Sequence, residues 1–331
     1  MRCNEIVKRT LAEPDFLASS EEFGKLVNVN TSQSHNTLGS SIAVGVISDE
    51  WRADDIRTLL ASIKDLPLSV TGVTQKRIPE SSHIKPQCWV FRVECDNLIE
   101  LRTRLVNLQL LKADVLVMPS QATTTKLACF DMDSTLIKVE VIDQLALHAG
   151  VGDKVSEITA RAMRGELDFK ESFTHRMALL KGLPASTIDT VKSSLPLMEG
   201  AEQLIKGLVS RGVYTAIFSG GFDVFAKHVV DSLGMDTFHA NQLEIVDGVL
   251  TGVAREPIVD ATLKRDLLRR YMTKLKIEPA ATLAVGDGAN DLLMLSSAGV
   301  GVAFHAKPLV QQQAEYALST QDLSALLYLV D

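Results

Sequence analysis

The sequence contains little of several features that mark other classes of protein. It has four cysteines among 331 residues and no Cys-x-x-Cys pair, too few for a disulfide scaffold, so a reducing compartment is expected. Its 34 basic residues are outnumbered by 41 acidic ones, and the net charge of −7 does not give the positive field that nucleic acid or anionic lipid would need. No apolar run approaches the ~20 residues of a membrane span. The first residues are charged throughout and lack the apolar stretch of a signal peptide, so we expect a cytoplasmic protein without nucleic-acid or membrane partners.

The length and composition are those of a globular protein with more than one domain. At ~150 residues per domain, 331 residues suffice for about two. Hydrophobic residues make up 46% of the chain and charged residues 23%, which is ordinary for a folded protein. Three segments are predicted: an N-terminal segment and linker over residues 1–40, a first domain over 41–119 and a second domain over 120–331.

The first domain combines strand and helix patterns in a regular order. Strand patterns occur at SIAVGVIS, LSVTGVTQKRI, QCWVFRVEC and ADVLVMP, with helical patterns at WRADDIRTLLASIKD and NLIELRTRLVNLQ. The order β-α-β-β-α-β predicts a ferredoxin-like α+β unit. This order resembles the ACT family of amino-acid-binding regulatory domains, which implies an amino-acid effector. The alternative is a packing domain, or one through which the chain forms a homodimer.

The second domain alternates strands with helices over much of its length, which predicts a parallel, Rossmann-like sheet. Residues of about 140–200 are helical in pattern, and LEIVDGVLTGVA contains the Asp247-Gly248 pair of a β-hairpin. Ligands bind such sheets at the carboxyl ends of the strands. Three polar segments of the sequence fall at predicted strand ends, so we expect them to lie at one edge of the sheet.

Two of these segments supply carboxylates. Asp131 and Asp133 follow the strand LACF, Asp287 lies at the end of the strand TLAVGDG, and Asp291 follows it. Taken singly, each residue has the alternative of capping a following helix. Four carboxylates at one edge would repel one another unless a cation neutralised them, and hard oxygen ligands suit Mg²⁺.

The third segment and one lysine supply groups for an anion. Ser219-Gly220-Gly221 follows the strand YTAIF, and a hydroxyl with backbone N–H groups at the start of a helix can bind phosphate. The same three residues are also common in simple turns. Lys264 lies one helix before the Gly-Asp-Gly strand, where a cation could reach the same edge, although most lysines are surface residues.

Together the segments FDMDSTL, FSGGF, Lys264 and VGDGANDLLML resemble the haloacid dehalogenase-like superfamily, and the phosphoserine phosphatases within it. The resemblance covers about residues 124–331. It implies an α/β fold in which a Rossmann-like parallel sheet carries a helical cap insert at about 140–200 and a β-hairpin flap. It also implies hydrolysis of phosphoserine to serine and phosphate, the last step of serine biosynthesis. The alternatives are another small-metabolite phosphomonoesterase of the superfamily and a phosphoserine-dependent phosphotransferase.

The same resemblance implies the chemical roles. Asp131 would be the nucleophile that forms an aspartyl phosphate, and Asp133 would protonate the seryl oxygen and then activate water. Mg²⁺ would be held by the carboxylates of Asp131 and Asp287 and by the main-chain carbonyl of Asp133. Asp291 would contact the metal ligands without binding the metal directly, and Lys264 would be the third catalytic residue beside Asp131 and Asp133.

The resemblance also implies how the substrate is bound. The phosphoryl oxygens would be held by a hydroxyl, an N–H and an ammonium group: those of Ser219, Gly220 and Lys264. In the cap, Glu140 would bind the substrate ammonium group and Arg176 its carboxylate, with two parallel hydrogen bonds from the arginine. Phe169 would form a wall of the pocket, and Asn290 would contact the substrate. From the residues alone, a helix-start position is the more usual interpretation of Glu140 and a solvated side chain that of Arg176, and the alternative for Phe169 is core packing.

Overall fold

The computed structural model describes residues 40–48, 53–63, 65–66, 68–76, 87–106, 108, 112–119, 124–164 and 166–330. The segment and linker predicted for residues 1–40 lie outside the described residues, apart from Ser40. The chain divides into two compact units: the first comprises the described residues of Met1–Thr124 and Tyr316–Asp331, and the second comprises those of Thr125–Glu315. The domain boundaries given above stay predictions. Within the described part of the chain, no helix is both long and apolar enough to cross a membrane.

The N-terminal segment of the first unit contains, in its described residues, a four-stranded antiparallel sheet and two helices. Its elements are β1 (Ser40–Ser48), α1 (Ala53–Ile63), β2 (Leu68–Lys76), β3 (Gln87–Cys95), α2 (Leu98–Val106) and β4 (Ala113–Pro119). The strand order is β2-β3-β1-β4. Alternate residues of β1, Ile42, Val44 and Val46, are buried in one core with Leu59 and Leu101 of the helices, as the period of two in a strand requires. The α+β fold and element order predicted from the sequence are confirmed, and the ACT-like assignment stays a prediction.

The second unit is built on parallel strands. These are β5 (Leu127–Phe130), β6 (Tyr214–Phe222), β7 (Thr237–Asn241), β10 (Thr282–Gly286) and β11 (Val300–Phe304). They lie in the order β11-β10-β5-β6-β7, and each adjacent pair is parallel. Every residue of β5 is buried, as is usual for a strand covered on both faces. The predicted Rossmann-like sheet is confirmed, and the carboxyl ends of β10, β5 and β6 are neighbours.

Helices lie in the connections between these strands and after β11. They are α3 (Val141–His148), α4 (Gly152–Met163), α5 (Phe169–Ala178), α6 (Ser186–Ser193), α7 (Ala201–Ser210), α8 (Asp223–Leu233), α9 (Ala261–Leu275), α10 (Leu292–Leu295) and α11 (Pro308–Gln313). Helices α3 to α6 form the predicted helical insert, called the cap below. The start of α5 is fixed by a capping box, in which Asp168 accepts the N–H of Glu171 at 2.8 Å and Glu171 accepts the N–H of Asp168 at 3.0 Å.

The predicted hairpin, called the flap below, is formed by β8 (Ile245–Val246) and β9 (Val249–Leu250). Its turn residues Asp247 and Gly248 both have positive φ, 50° and 78°, as a type I′ turn requires. The flap pairs with a loop of the cap, because the N–H of Gly182 donates to Leu250 O at 2.8 Å and the N–H of Leu250 donates to Leu183 O at 2.9 Å. The flap is therefore hydrogen-bonded to the cap.

The last described residues belong to the first unit. They include β12 (Tyr316–Leu318) and a 3₁₀ helix at Leu323–Tyr328. The buried carboxylate of Asp114 in β4 accepts the N–H groups of Ser319, Thr320 and Gln321 at 2.9, 3.0 and 3.0 Å. Burial raises the pKa of Asp114, and these hydrogen bonds offset part of that shift. The first unit is thus made of two chain segments that are far apart in sequence.

Candidate active site

The polar segments at the strand ends surround one cavity of about 810 Å³. Asp131 directly follows β5, and its N–H donates to the carbonyl of Val285 in β10 at 2.9 Å. Asp287 directly follows β10, and Gly220 lies near the end of β6. The three neighbouring strand ends therefore deliver side chains to the same cavity, and the cap covers it with residues that include Glu140.

Lys264 is the fully buried cation of the site. Its side chain is 0% exposed, and its Nζ lies 2.7 Å from Asp131 Oδ2 and 2.7 Å from Asp291 Oδ1. Burial alone would lower the pKa of this ammonium group, but the two carboxylates outweigh it, and the pKa of Lys264 lies above its ordinary value. Helix α9 presents the lysine, and its N-cap residue Asp260 accepts the N–H of Leu263 at 2.8 Å. The surface position that is usual for a lysine is excluded.

Three carboxylates form a group that can hold a metal ion. Asp131, Asp287 and Asp291 each present one oxygen, and these oxygens all lie within 4.8 Å of one another. Burial raises the pKa of Asp287 to about 8 and that of Asp291 to about 7, and the charge of Asp131 adds to both shifts. One lysine does not neutralise three carboxylates. A divalent cation would supply the missing charge, and carboxylate oxygens are ligands that such cations prefer.

Neighbouring groups orient these carboxylates. The Thr135 hydroxyl donates to Asp287 Oδ1 at 3.1 Å, and the Gly288 N–H donates to Asp291 Oδ2 at 3.0 Å. A Cβ atom on Gly286 would overlap the Asp291 carboxyl group, so only glycine fits there. Thr135 was not among the residues predicted for the site, although its place in FDMDSTL was an available signal.

Asp133 is a buried carboxyl group in the cavity wall. Its Oδ1 accepts the N–H of Val141, at the start of α3, at 3.3 Å. Burial raises the pKa of Asp133 well above its ordinary value, and the charges of Glu140 and Asp131 raise it further. A Cβ atom on Gly221 would lie 2.6 Å from Asp133 Oδ2, so the turn must carry glycine to pass this close. A carboxyl group with a raised pKa is suited to donate a proton.

The turn at the end of β6 presents groups for an anion. Ser219 is fully buried, and its Oγ accepts the N–H of Gly221 at 2.9 Å, which leaves the hydroxyl proton for another acceptor. The carbonyl of Gly220 accepts the side-chain amide of Asn241 at 2.8 Å. Asn241 is the last residue of β7 and was not predicted for the site, because no motif of the sequence marks it.

The cap contributes two residues of opposite charge. Glu140 accepts the hydroxyl of Ser134 at 2.8 Å, and its side chain makes no helix-capping hydrogen bond. It is exposed towards the cavity, yet the protein that surrounds it raises the pKa of its carboxyl group by desolvation. Burial lowers the pKa of Arg176, and the negative charges of Asp143 and Glu140 offset part of that shift. The Nε of Arg176 donates to Ser172 O at 3.4 Å, and no ion pair between described residues includes this arginine.

Phe169 and Asn290 also line the cavity. Phe169 begins α5, and its ring stacks on that of Phe173 with the centroids 6.3 Å apart. A Cβ atom on Gly220 would lie 3.1 Å from Phe169 Cζ, so the cap and the anion turn approach closely at this point. Three predicted residues do not line the cavity but are buried next to residues that do: Ser219, Lys264 and Asp291. The structure thus brings the predicted residues together, and their individual roles stay predictions.

Proteins of known family are similar to this chain. A model described as haloacid dehalogenase-like hydrolase matches residues 125–299. The phosphoserine phosphatase of Haemophilus influenzae is 48% identical over 204 residues, which cover 62% of this chain and 65% of that protein. The phosphoserine phosphatase of Idiomarina loihiensis is 47% identical over 201 residues, which cover 61% of this chain and 91% of that protein. The chain spans about half to two thirds of the length of several such relatives.

A solved structure extends the similarity to the fold of most of the chain. The haloacid dehalogenase family hydrolase t0658 of Salmonella enterica serovar Typhi has a TM-score of 0.78 and 29% sequence identity, and the match covers 88% of this chain and 98% of that one. The family model covers more than half of the 331 residues, and its range contains the carboxylate group, the buried lysine and the anion turn. This chain belongs to the haloacid dehalogenase-like hydrolases.

Proposed function

We propose that this chain is a phosphoserine phosphatase, which hydrolyses O-phospho-L-serine to L-serine and phosphate through an aspartyl phosphate on Asp131. The observation that carries the proposal is one cavity lined by Asp131 and other carboxylates, with a glutamate and an arginine from the cap, and with Lys264 buried 2.7 Å from Asp131. The carboxylates and the lysine suit a phosphoryl group, and the glutamate and arginine suit the ammonium and carboxylate groups of an amino acid. The similarity to proteins named phosphoserine phosphatase supports the same substrate.

Asp131 is oriented for attack on phosphorus. The N–H of Met132 donates to Asp131 Oδ1 at 2.7 Å, and Lys264 Nζ lies 2.7 Å from Oδ2, so the carboxylate plane is fixed from two sides. Attack forms a bond between a carboxylate oxygen and phosphorus, and the bond from phosphorus to the seryl oxygen breaks. The acyl phosphate then reacts with water, so that one difficult displacement becomes two easier ones.

Asp133 is the acid and base of the proposed reaction. Its raised pKa favours the protonated carboxyl group, which would give its proton to the departing seryl oxygen. As a carboxylate it then takes a proton from the water that attacks the acyl phosphate. General acid–base catalysis contributes only ~10²–10⁴ of a total acceleration that reaches ~10²¹ for phosphate monoesters, so charge stabilisation must supply most of the remainder.

The residues that stabilise charge are the buried lysine, the anion turn and the metal-binding carboxylates. Lys264, the Ser219 hydroxyl and the Gly220 N–H would hold the phosphoryl oxygens. Mg²⁺ fits the all-oxygen donor set, and the residues that would hold it are Asp131 and Asp287 through their carboxylates and Asp133 through its main-chain carbonyl, with Asp291 behind them. When bound, Mg²⁺ supplies positive charge to the transferring group.

Recognition of serine would belong to the cap and the adjoining loop. Glu140 would accept hydrogen bonds from the substrate ammonium group, and Arg176 would donate two parallel bonds to its carboxylate. Phe169 would exclude water on one side of the ligand, and Asn290 would contact it from the loop after β10.

Phosphate release from a panel of esters tests the proposal. The panel contains O-phospho-L-serine, phosphoethanolamine, which lacks the carboxylate, and ethyl phosphate, which lacks both charged groups, each with Mg²⁺ and with EDTA. Loss of one charged hydrogen bond corresponds to roughly ten- to a hundredfold in kcat/KM, so we expect phosphoserine to exceed phosphoethanolamine by that factor and ethyl phosphate by more. Equal kcat/KM values for phosphoserine and ethyl phosphate would contradict the substrate assignment.

A further inference from the structure

Asn241 connects two parts of the phosphate site that are distant in sequence. The residue is buried, with 3% of its surface exposed. Its Nδ2 donates to the carbonyl of Gly220 at 2.8 Å, and its Oδ1 accepts the N–H of Val259 at 2.8 Å. Both ends of one buried amide are therefore used, one on the anion turn and one on the segment that leads into α9.

On the first side, Asn241 fixes one peptide of the anion turn. The carbonyl of the Gly220–Gly221 peptide is held by Asn241, and the N–H of the same peptide donates to Ser219 Oγ at 2.9 Å. A peptide unit is planar, so hydrogen bonds at both ends fix its orientation. Glycine has no Cβ atom to restrict its backbone, and the two bonds replace that restriction. The same contact directs the Ser219 hydroxyl proton away from the turn.

On the second side, Asn241 fixes the entry to the lysine helix. Val259 precedes the N-cap Asp260, and the N–H of Lys264 donates to Asp260 O at 2.9 Å in the first turn of α9. A Cβ atom on Gly220 would lie 3.5 Å from Val259 O, so the turn and this segment are in direct contact. A shift of Val259 would move Asp260 and hence the first turn of α9.

We propose that Asn241 is a positioning residue of the phosphate site, which sets the distance between the anion turn and Lys264. It does not touch the reacting atoms and acts through the Gly220 carbonyl and the Val259 N–H. The inference rests on the proposed phosphatase function, but it concerns the phosphoryl group common to all phosphate esters. It therefore predicts the same loss for phosphoserine and for an aryl phosphate.

Two substitutions separate hydrogen bonding from packing. Asn241→Ala removes both hydrogen bonds. Asn241→Asp keeps the shape and the acceptor for Val259 but replaces the donor to Gly220 with an oxygen. The matched control is Thr215→Val in β6, which removes a buried hydroxyl that donates to Asp236 Oδ2 at 3.0 Å and accepts the Asp236 N–H at 3.2 Å, near the opposite end of the strand.

The measurements are kcat and KM for phosphoserine and p-nitrophenyl phosphate, the inhibition constant of orthovanadate, and the melting temperature. A displacement of about 1 Å in a catalytic site lowers the rate by about a hundredfold, and loss of one hydrogen bond to an uncharged group corresponds to roughly tenfold. We expect kcat to fall ten- to a hundredfold in both Asn241 variants, for both substrates, while KM changes less than threefold. The inhibition constant of orthovanadate should rise by the same factor by which kcat/KM falls. Thr215→Val should lower the melting temperature without changing kcat.

The outcomes discriminate between positioning and packing. Folded Asn241→Ala with kcat and orthovanadate inhibition within twofold of the unmodified protein would overturn the proposal, and so would recovery of full kcat in Asn241→Asp. If Asn241→Ala does not fold, Asn241→Asp alone decides between these results. If the unmodified protein hydrolyses p-nitrophenyl phosphate but not phosphoserine, the substrate assignment fails, while the aryl phosphate data still test Asn241.

Discussion

Lys264→Met tests the charge balance of the site directly. Methionine has a similar length and fills the same buried space, so the change removes the ammonium charge with little loss of packing. The lysine lies 2.7 Å from both Asp131 and Asp291, and all three side chains are at most 8% exposed. Without the lysine, two buried carboxylates remain with no cation unless a metal ion or protons replace it.

The structure sets the size of the expected loss of stability and activity in Lys264→Met. Removing one partner of a buried ion pair destabilises a protein by about 3–5 kcal/mol, because the remaining charge is uncompensated. For the second unit of about 190 residues, this corresponds to a fall in melting temperature of roughly 6–20 °C. The loss should be smaller at pH 5 than at pH 8, because a proton on Asp291 then replaces part of the missing charge. Removal of a group that stabilises developing charge should also lower kcat/KM by about 10²–10³.

Calorimetric melting with EDTA at pH 5 and pH 8 measures the stability, and phosphate release with Mg²⁺ measures the activity. The matched control is Lys227→Met, which removes a lysine paired with Asp231 at 2.8 Å on the surface. Exposed pairs contribute only about 0–1 kcal/mol, so the control should melt close to the unmodified protein. If the free energies of unfolding of Lys264→Met and Lys227→Met differ by less than 1 kcal/mol, Lys264 does not hold the carboxylates as described.

Three further predictions concern the chemistry. Asp131→Asn should fold normally, as judged by its melting temperature, and release no measurable phosphate, because an amide does not attack phosphorus; full activity would exclude the covalent mechanism. Arg176→Lys and Glu140→Gln should each lower kcat/KM for phosphoserine roughly ten- to a hundredfold and leave kcat/KM for ethyl phosphate nearly unchanged. An equal fall for both esters would assign these residues to the fold or the phosphate site. In EDTA, the free energy of unfolding should fall as the pH rises from about 4 to about 8, because folded Asp287 and Asp291 retain protons that the unfolded chain has lost. Mg²⁺ should restore more stability at pH 8 than at pH 5. Denaturant titrations that show no such difference would contradict the carboxylate cluster.

The features that the sequence predicted have local patterns. Asp131 and Asp287 follow short apolar runs, and parallel strand ends converge, so their proximity could be inferred without a structure. The hairpin at Asp247-Gly248 was predictable for a similar reason, because few residue pairs adopt positive φ in succession.

The features that the sequence did not predict depend on distant contacts. The burial of Lys264 has no signal in ATLKRDLL, since the neutralising carboxylates come from other elements. Asn241 ends an ordinary strand, and its role depends on Gly220 and Val259, each about 20 residues away in sequence. Asp114 likewise looks like any polar strand residue, although its partners begin at Ser319.

The hydrogen bonds of Asp114 have a consequence for biosynthesis. Ser319 is made 205 residues after Asp114, and all residues of the second unit are made in between. At ~5–20 residues per second, the ribosome needs ~10–40 s for that stretch. During this time the carboxylate of Asp114 lacks these three N–H donors. The first unit therefore cannot complete its hydrogen bonding until every residue of the second unit has been made.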